Sequence, residues 1–128
     1  MTGIPYFNIP AFEAATAVLR NAGFEVVSPA EEDSEAVKAE ARTSTTGELV
    51  DGKVGGETWG DILARDVKLL ADGGIHGIVF LPDWIKSKGA KLEATVGLLA
   101  GFTFWEYKDG TPLPRDREWV KHQLNVAL

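Results

Sequence analysis

Cysteine is absent from this 128-residue chain. That excludes disulfide frameworks, thiolate metal sites and cysteine nucleophiles, and it suits a reducing, cytoplasmic setting, which is the expectation here. Histidine is nearly as scarce. His76 and His122 lie far apart in sequence, so a zinc site would have to rest on carboxylates; no metal and no cofactor is expected. Long apolar runs are missing too: no stretch reaches the roughly 20 residues that cross a bilayer. The N-terminus also lacks the basic-then-apolar pattern of a secretory signal, so no membrane partner is expected. Positive charge is in deficit, with 13 Lys and Arg against 19 Asp and Glu, a net charge of −6. Nucleic-acid polymers need a basic surface and are not expected as partners. A mononucleotide held in one local basic pocket stays open.

Apolar residues make up 45% of the chain, enough for a packed core, and the length suits one domain spanning residues 1–128. Asn8 as a cap and Pro10 in the first turn predict a helix over 8–22, with Phe12, Ala15, Leu19 and Ala22 on one face and Gly23 as its stop. Residues 24–28 read as a short strand closed by Pro29. Residues 36–42 allow a turn or two of helix, and the segment 36–57, rich in Thr, Gly and Ser, reads as a flexible loop or insert. Thr58 and Asp61 resemble a capping box, opening a helix to about residue 71 on which Leu63, Val67 and Leu70 share a face. The apolar run 75–81 predicts the central strand. A helix over 88–100 follows, with Leu92, Val96 and Leu99 spaced toward the core and Gly101 as its end. Residues 102–107 alternate and are aromatic-rich, hence a strand. Asp109-Gly110, Pro112 and Pro114 predict turns, and 117–128 an amphipathic helix packing Trp119, Val120, Leu124 and Ala127. Strands alternating with helices imply an α/β fold with a parallel sheet covered on both faces.

The segment from His76 to Glu93 concentrates the chemistry: a strand, a glycine-containing loop, and a helix start. Ligands in such folds sit at the carboxyl ends of strands. Glu93, placed by the pattern in the first helical turn, is either a helix-end carboxylate favoured by the macrodipole or a nucleophile or general acid/base beside a ligand loop. It shares a stripe with Gly97 and Ala100, small residues that would permit close approach. Asp66 lies at the apolar edge of its helix, either paired with Arg65 or Lys68 or held for a task. Asp61 reads as a cap and Asp72 as an exposed turn residue. Ser87 accounts for itself as a cap, yet a helix N-terminus with Gly89 nearby also suits an anion. Lys86, Lys88 and Lys91 around that turn are either a solvated face or added charge for such an anion. Trp84, Trp59 and Tyr6 are core or pocket wall, or surfaces for stacking a base. His76 reads as a structural residue at the strand entrance.

Taken together, residues 2–12, 23–29, Arg65-Asp66 and 81–93 (Leu-Pro-Asp-Trp-Ile-Lys-Ser-Lys-Gly-Ala-Lys-Leu-Glu) resemble the nucleoside 2-deoxyribosyltransferase-like superfamily, in particular its branch of small phage and prophage proteins. The resemblance covers about residues 1–105, apart from the 36–56 insert. It implies a Rossmann/flavodoxin-like three-layer sandwich with a mainly parallel sheet. It also implies an N-deoxyribosyltransferase or N-glycosidase acting on deoxynucleosides or their 5′-monophosphates through a glutamate that forms a glycosyl ester. By position Glu93 would be that nucleophile and Asp66 the aspartate near nucleophile and base. Ser87, Gly89 and Ala90 would form the 5′-phosphate loop, with Gly3 and Trp84 also at the substrate. Relatives commonly form homo-oligomers, which is the expectation here. Two departures are visible. Met1 stands where relatives have already completed a first strand bearing a tyrosine, so that strand is expected to be lacking, and Tyr6 is not its equivalent. His76 stands where many relatives place an aspartate. The alternative implied by the missing strand is a non-catalytic phage-type protein that binds or sequesters a nucleotide; an interaction protein whose ancestral pocket has decayed is a third reading.

Overall fold

The computed structural model describes residues 5–128, apart from the side chains of residues 5, 7, 29 and 32. The protein is mixed α/β with two small sheets. The chain divides into two compact units, Met1–Ala64 and Arg65–Leu128, the boundary falling inside a helix.

In the first unit a 3-10 turn (Pro5–Asn8) leads into α1 (Ile9–Asn21). Asn8 holds the N-cap position but in a left-handed conformation (φ 62°), and its side chain makes no capping bond. Pro10 takes the first turn as expected, since it lacks the N–H that would be orphaned there. Residues 24–28 do not form the anticipated strand. There the Arg20 guanidinium donates to the Val26 carbonyl at 2.8 Å, and no strand pairs with the segment among the described residues. The turn α2 (Pro29–Glu32) and the helix α3 (Glu35–Thr43) follow, and Ser34 caps α3 by accepting from the Val37 N–H at 3.2 Å.

The stretch read as a long loop is folded. Strands β1 (Lys53–Val54) and β2 (Glu57–Thr58) pair antiparallel around Gly55 and Gly56, both at positive φ, the geometry a two-residue hairpin turn requires. Gly55 lies so close to α3 that a Cβ there would stand 2.3 Å from the Val37 nitrogen. Its own N–H donates to the Glu40 carboxylate. The unit's core gathers Ile9, Ala30, Val37, Ala41 and Val54.

Helix α4 (Trp59–Asp72) opens on the anticipated capping box: the Thr58 N–H donates to Asp61 Oδ2 at 3.0 Å, and the Asp61 N–H to Thr58 Oγ1 at 3.1 Å. In the second unit β3 (Gly77–Phe80), α5 (Lys88–Ala100) and β4 (Thr103–Lys108) form a βαβ element, with β3 and β4 parallel from Gly77↔Thr103 to Phe80↔Glu106. Gly101 ends α5 in the left-handed region (φ 74°). Pro112 and Pro114, expected in turns, belong to β5 (Thr111–Arg115), antiparallel to β4 across the Asp109-Gly110 turn. Both sit at alternate positions of one edge of the sheet, opposite Tyr107 and Trp105, where a missing N–H costs the ladder nothing. Helix α6 (Arg117–Leu124) starts on an Asp116 cap and stops at Asn125 (φ 56°), short of the expected residue 128.

The core of this unit is aromatic. Phe80 stacks on Trp84 at 4.1 Å between centroids and on Phe104 at 5.8 Å, and Trp119 tilts against both Phe80 and Trp84. Leu98 and Val120 are fully buried beside them. Gly97 fits here for a steric reason: a Cβ would meet Ile78 Cδ1 and Phe104 Cε1 at 3.0 Å each. The small residues of α5 therefore admit the sheet's side chains. Of the stripe read beside Glu93, Gly97 is thus approached by the sheet's own side chains, while Ala100 is exposed.

Candidate active site

The candidate site lies where β3 ends and α5 begins. The chain leaves Phe80, passes through Leu81-Pro82-Asp83 and a 3-10 turn (Trp84–Lys86), and enters α5 at Ser87. This is the carboxyl end of a parallel pair, the position at which α/β sheets place ligands. Asp83 takes a left-handed conformation (φ 62°), turning the chain sharply, and its carboxylate lies 3.6 Å from Lys86 Nζ. The basic cluster is thus partly neutralised from within.

Ser87 acts as the cap that its sequence position predicts: Oγ accepts from the Ala90 N–H at 3.2 Å, and its carbonyl accepts from the Lys91 N–H at 3.0 Å. The first bond satisfies one of the orphan donors of the first turn, and the second is the helix's first internal bond. The amides of Lys88 and Gly89 stay at the open helix end, with the positive pole of the dipole behind them. An anion is favoured there on both counts.

Glu93 lies deeper than the sequence pattern places it. It is the sixth residue of α5, and no acidic residue occupies the first turn. The macrodipole fades within one turn, so it does not explain this carboxylate. Burial pushes the Glu93 carboxyl up to about 7, and the negative charge of Asp66 adds to the rise. Asp66 is partly buried on α4, with Oδ1 shielded from solvent. Lys68, considered as its partner, instead holds Asp72 at 2.9 Å. The charge of Asp66 thus acts on a partly buried Glu93, a coupling of carboxylates that recurs at catalytic centres.

The other expected residues divide. Ala90 and Gly89 are partly buried in the first turn of α5, beside the cap. Trp84 is a core side chain, 8% exposed, with one ring face covered by Phe80. His76 is exposed at the entrance to β3, where its carbonyl accepts from the Thr103 N–H and hydroxyl. Gly3 lies outside the described residues. Among the described residues no three His, Asp or Glu side chains converge as a metal site would need, and no helix is long and apolar enough to cross a membrane. A concavity in the first unit has no counterpart in the sequence pattern, because its residues come from three separate elements and form no motif.

A family model described as a domain of unknown function (DUF4406) matches residues 1–104. No curated protein and no solved structure matches the chain.

Proposed function

The chain belongs to the DUF4406 family, a domain of unknown function, and we propose that it binds a deoxynucleoside 5′-monophosphate and cleaves or transfers its N-glycosidic bond, with Glu93 as the nucleophile. The observation that carries this reading is Glu93 itself: a desolvated carboxyl beside a second carboxylate, one turn inside the helix whose N-terminus can hold an anion. Helical rise puts Glu93 about 7.5 Å along the axis from Lys88, and side chains on a helix tilt toward its N-terminus. That separation is comparable to one sugar-phosphate unit. A phosphate at the Lys88 and Gly89 amides would bring the sugar's anomeric carbon within reach of the carboxylate.

The chemistry follows from the charges. In the empty site Asp66 disfavours ionised Glu93. As the glycosidic bond lengthens, positive charge develops on the sugar, and both carboxylates are attracted to it. The repulsion of the resting site becomes attraction in the transition state, which is the differential stabilisation that accelerates a reaction. A Glu93 oxygen attacks the anomeric carbon, the carbon–nitrogen bond breaks, and its electron pair leaves with the base, which takes up a proton. Water, or the nitrogen of a second base, then attacks the same carbon and returns the carboxylate.

Incubation with each deoxynucleoside 5′-monophosphate, followed by chromatography for free base, tests the reading. Base release that Glu93→Gln abolishes is the expected result. Saturable binding with no release would leave a protein that sequesters the nucleotide. Neither binding nor release would remove the proposal.

A further inference from the structure

The first unit contains a cavity of about 510 Å³, within the size range of small-molecule sites. Three cations line it, Arg20, Lys38 and Arg42, in a chain whose net charge is −6. They are not equivalent. Arg20 is clamped by Glu31, with Nη1 to Oε2 at 3.1 Å and Nη2 to Oε1 at 2.7 Å. Lys38 is largely covered, its side chain 19% exposed, and touches Glu35 at a loose 3.4 Å. Arg42, in the last turn of α3, makes no hydrogen bond or ion pair among the described residues. Counting the lining carboxylates Glu13 and Glu31 against the three cations leaves one positive charge uncompensated.

Two hydroxyl-bearing residues of the lining are a second observation. Thr16 and Ser28 are 8% and 4% exposed, and both line the cavity. Neither side chain makes a hydrogen bond among the described residues; Ser28 holds the N-cap position of α2 without capping it. Each hydroxyl is therefore open to donate to or accept from a bound group. Other threonine hydroxyls do bond within the chain: Thr95 donates to the Lys91 carbonyl at 2.9 Å, and Thr43 to that of Glu40 at 3.0 Å. Ile9, Ala17 and Ala30 add apolar wall.

From these features we infer that the cavity is a second small-molecule site, selective for a ligand with one oxyanion group, carboxylate or phosphate, on a compact apolar body. The oxyanion accepts from the Thr16 and Ser28 hydroxyls and from Lys38 and Arg42, while the Arg20–Glu31 clamp holds the wall. The site lies wholly within the first unit and shares no residue with Glu93, Asp66 or the start of α5.

Titration of the ¹⁵N-labelled full chain with benzoate, phenyl phosphate and neutral benzyl alcohol tests this. Either anion is expected to give saturable amide shifts at Thr16, Ser28 and α3, and benzyl alcohol none; whichever anion binds tighter identifies the oxyanion. Arg42 is exposed, so Arg42→Ala should keep the native spectrum and weaken binding about tenfold, as expected for loss of one charge-assisted hydrogen bond. Ser87→Ala should leave the affinity unchanged. No saturable shift with either anion, equal binding of the neutral alcohol, or undiminished affinity in Arg42→Ala would overturn the inference.

Discussion

Replacing Glu93 with glutamine should stabilise the protein, and only at neutral and alkaline pH. The Glu93 carboxyl is raised from 4.5 to about 7, first by burial and then by the charge of Asp66. Below pH 4.5 it is protonated in folded and unfolded chains alike, and no penalty exists. As pH rises from 4.5 to 7 the unfolded chain releases its proton first, so stability falls. Above about 7 both states are ionised and the penalty is complete. At about 1.4 kcal/mol for each tenfold change, it amounts to about 3 kcal/mol. Glu93→Gln removes the ionisation but keeps the shape. Its stability relative to wild type should therefore rise by about 3 kcal/mol between pH 4 and pH 8, with the change concentrated between 4.5 and 7. Urea unfolding followed by tryptophan fluorescence would measure it, since Trp84, Trp105 and Trp119 all lie in the second unit. A difference that does not vary with pH, or one that shrinks toward pH 8, would refute the placement of Glu93 in a desolvated site.

Other perturbations give narrower tests. Asp66→Asn should lower the Glu93 titration midpoint, read by carboxyl-carbon NMR, yet leave it above the ordinary glutamate range because burial is the larger cause. Ser87→Ala removes the α5 cap and should cost about 1 kcal/mol in urea unfolding; calorimetry should also show weaker binding of the 5′-monophosphate with little change for the nucleoside. Gly97→Ala forces a methyl against Ile78 and Phe104 and should cost about 1–3 kcal/mol in the same unfolding assay.

What could be read from the sequence was set by local signals. The ends of helix α5 were legible to the residue because Ser87 and Gly101 mark them, but its core face was not: Leu92 and Leu99, expected toward the core, are exposed, and Ala94, Gly97 and Leu98 are buried instead. The capping box did the same for the start of α4. Strand β3 was legible as an apolar run, though the run 75–81 is longer than the strand, and β4 as an alternating aromatic-rich segment shifted by one residue. The failures came where tertiary contacts decide. Residues 24–28 carry strand-forming side chains, but no neighbouring strand pairs with them among the described residues. The glycine-rich 44–57 stretch has no apolar period, and its order comes from Gly55 packed on α3, a contact invisible along the chain. Pro112 and Pro114 suggested turns because an edge position cannot be known before the sheet is built.

The candidate site was half legible. Glu93, Asp66 and Ser87 were singled out on type and spacing, but the depth of Glu93 in its helix and the electrostatic tie to Asp66 needed three dimensions. The first-unit cavity offered no sequence signal at all, since Thr16, Ser28 and Arg42 each pass for an ordinary residue in isolation.

The central claim is that Glu93 attacks as a carboxylate, and the pH profile of base release from the preferred deoxynucleoside 5′-monophosphate tests it most directly. Release should rise as pH increases through about 7, level off above it, and vanish in Glu93→Gln at every pH. Release that falls as pH rises past 7, release that persists in Glu93→Gln, or no release at any pH would contradict the account.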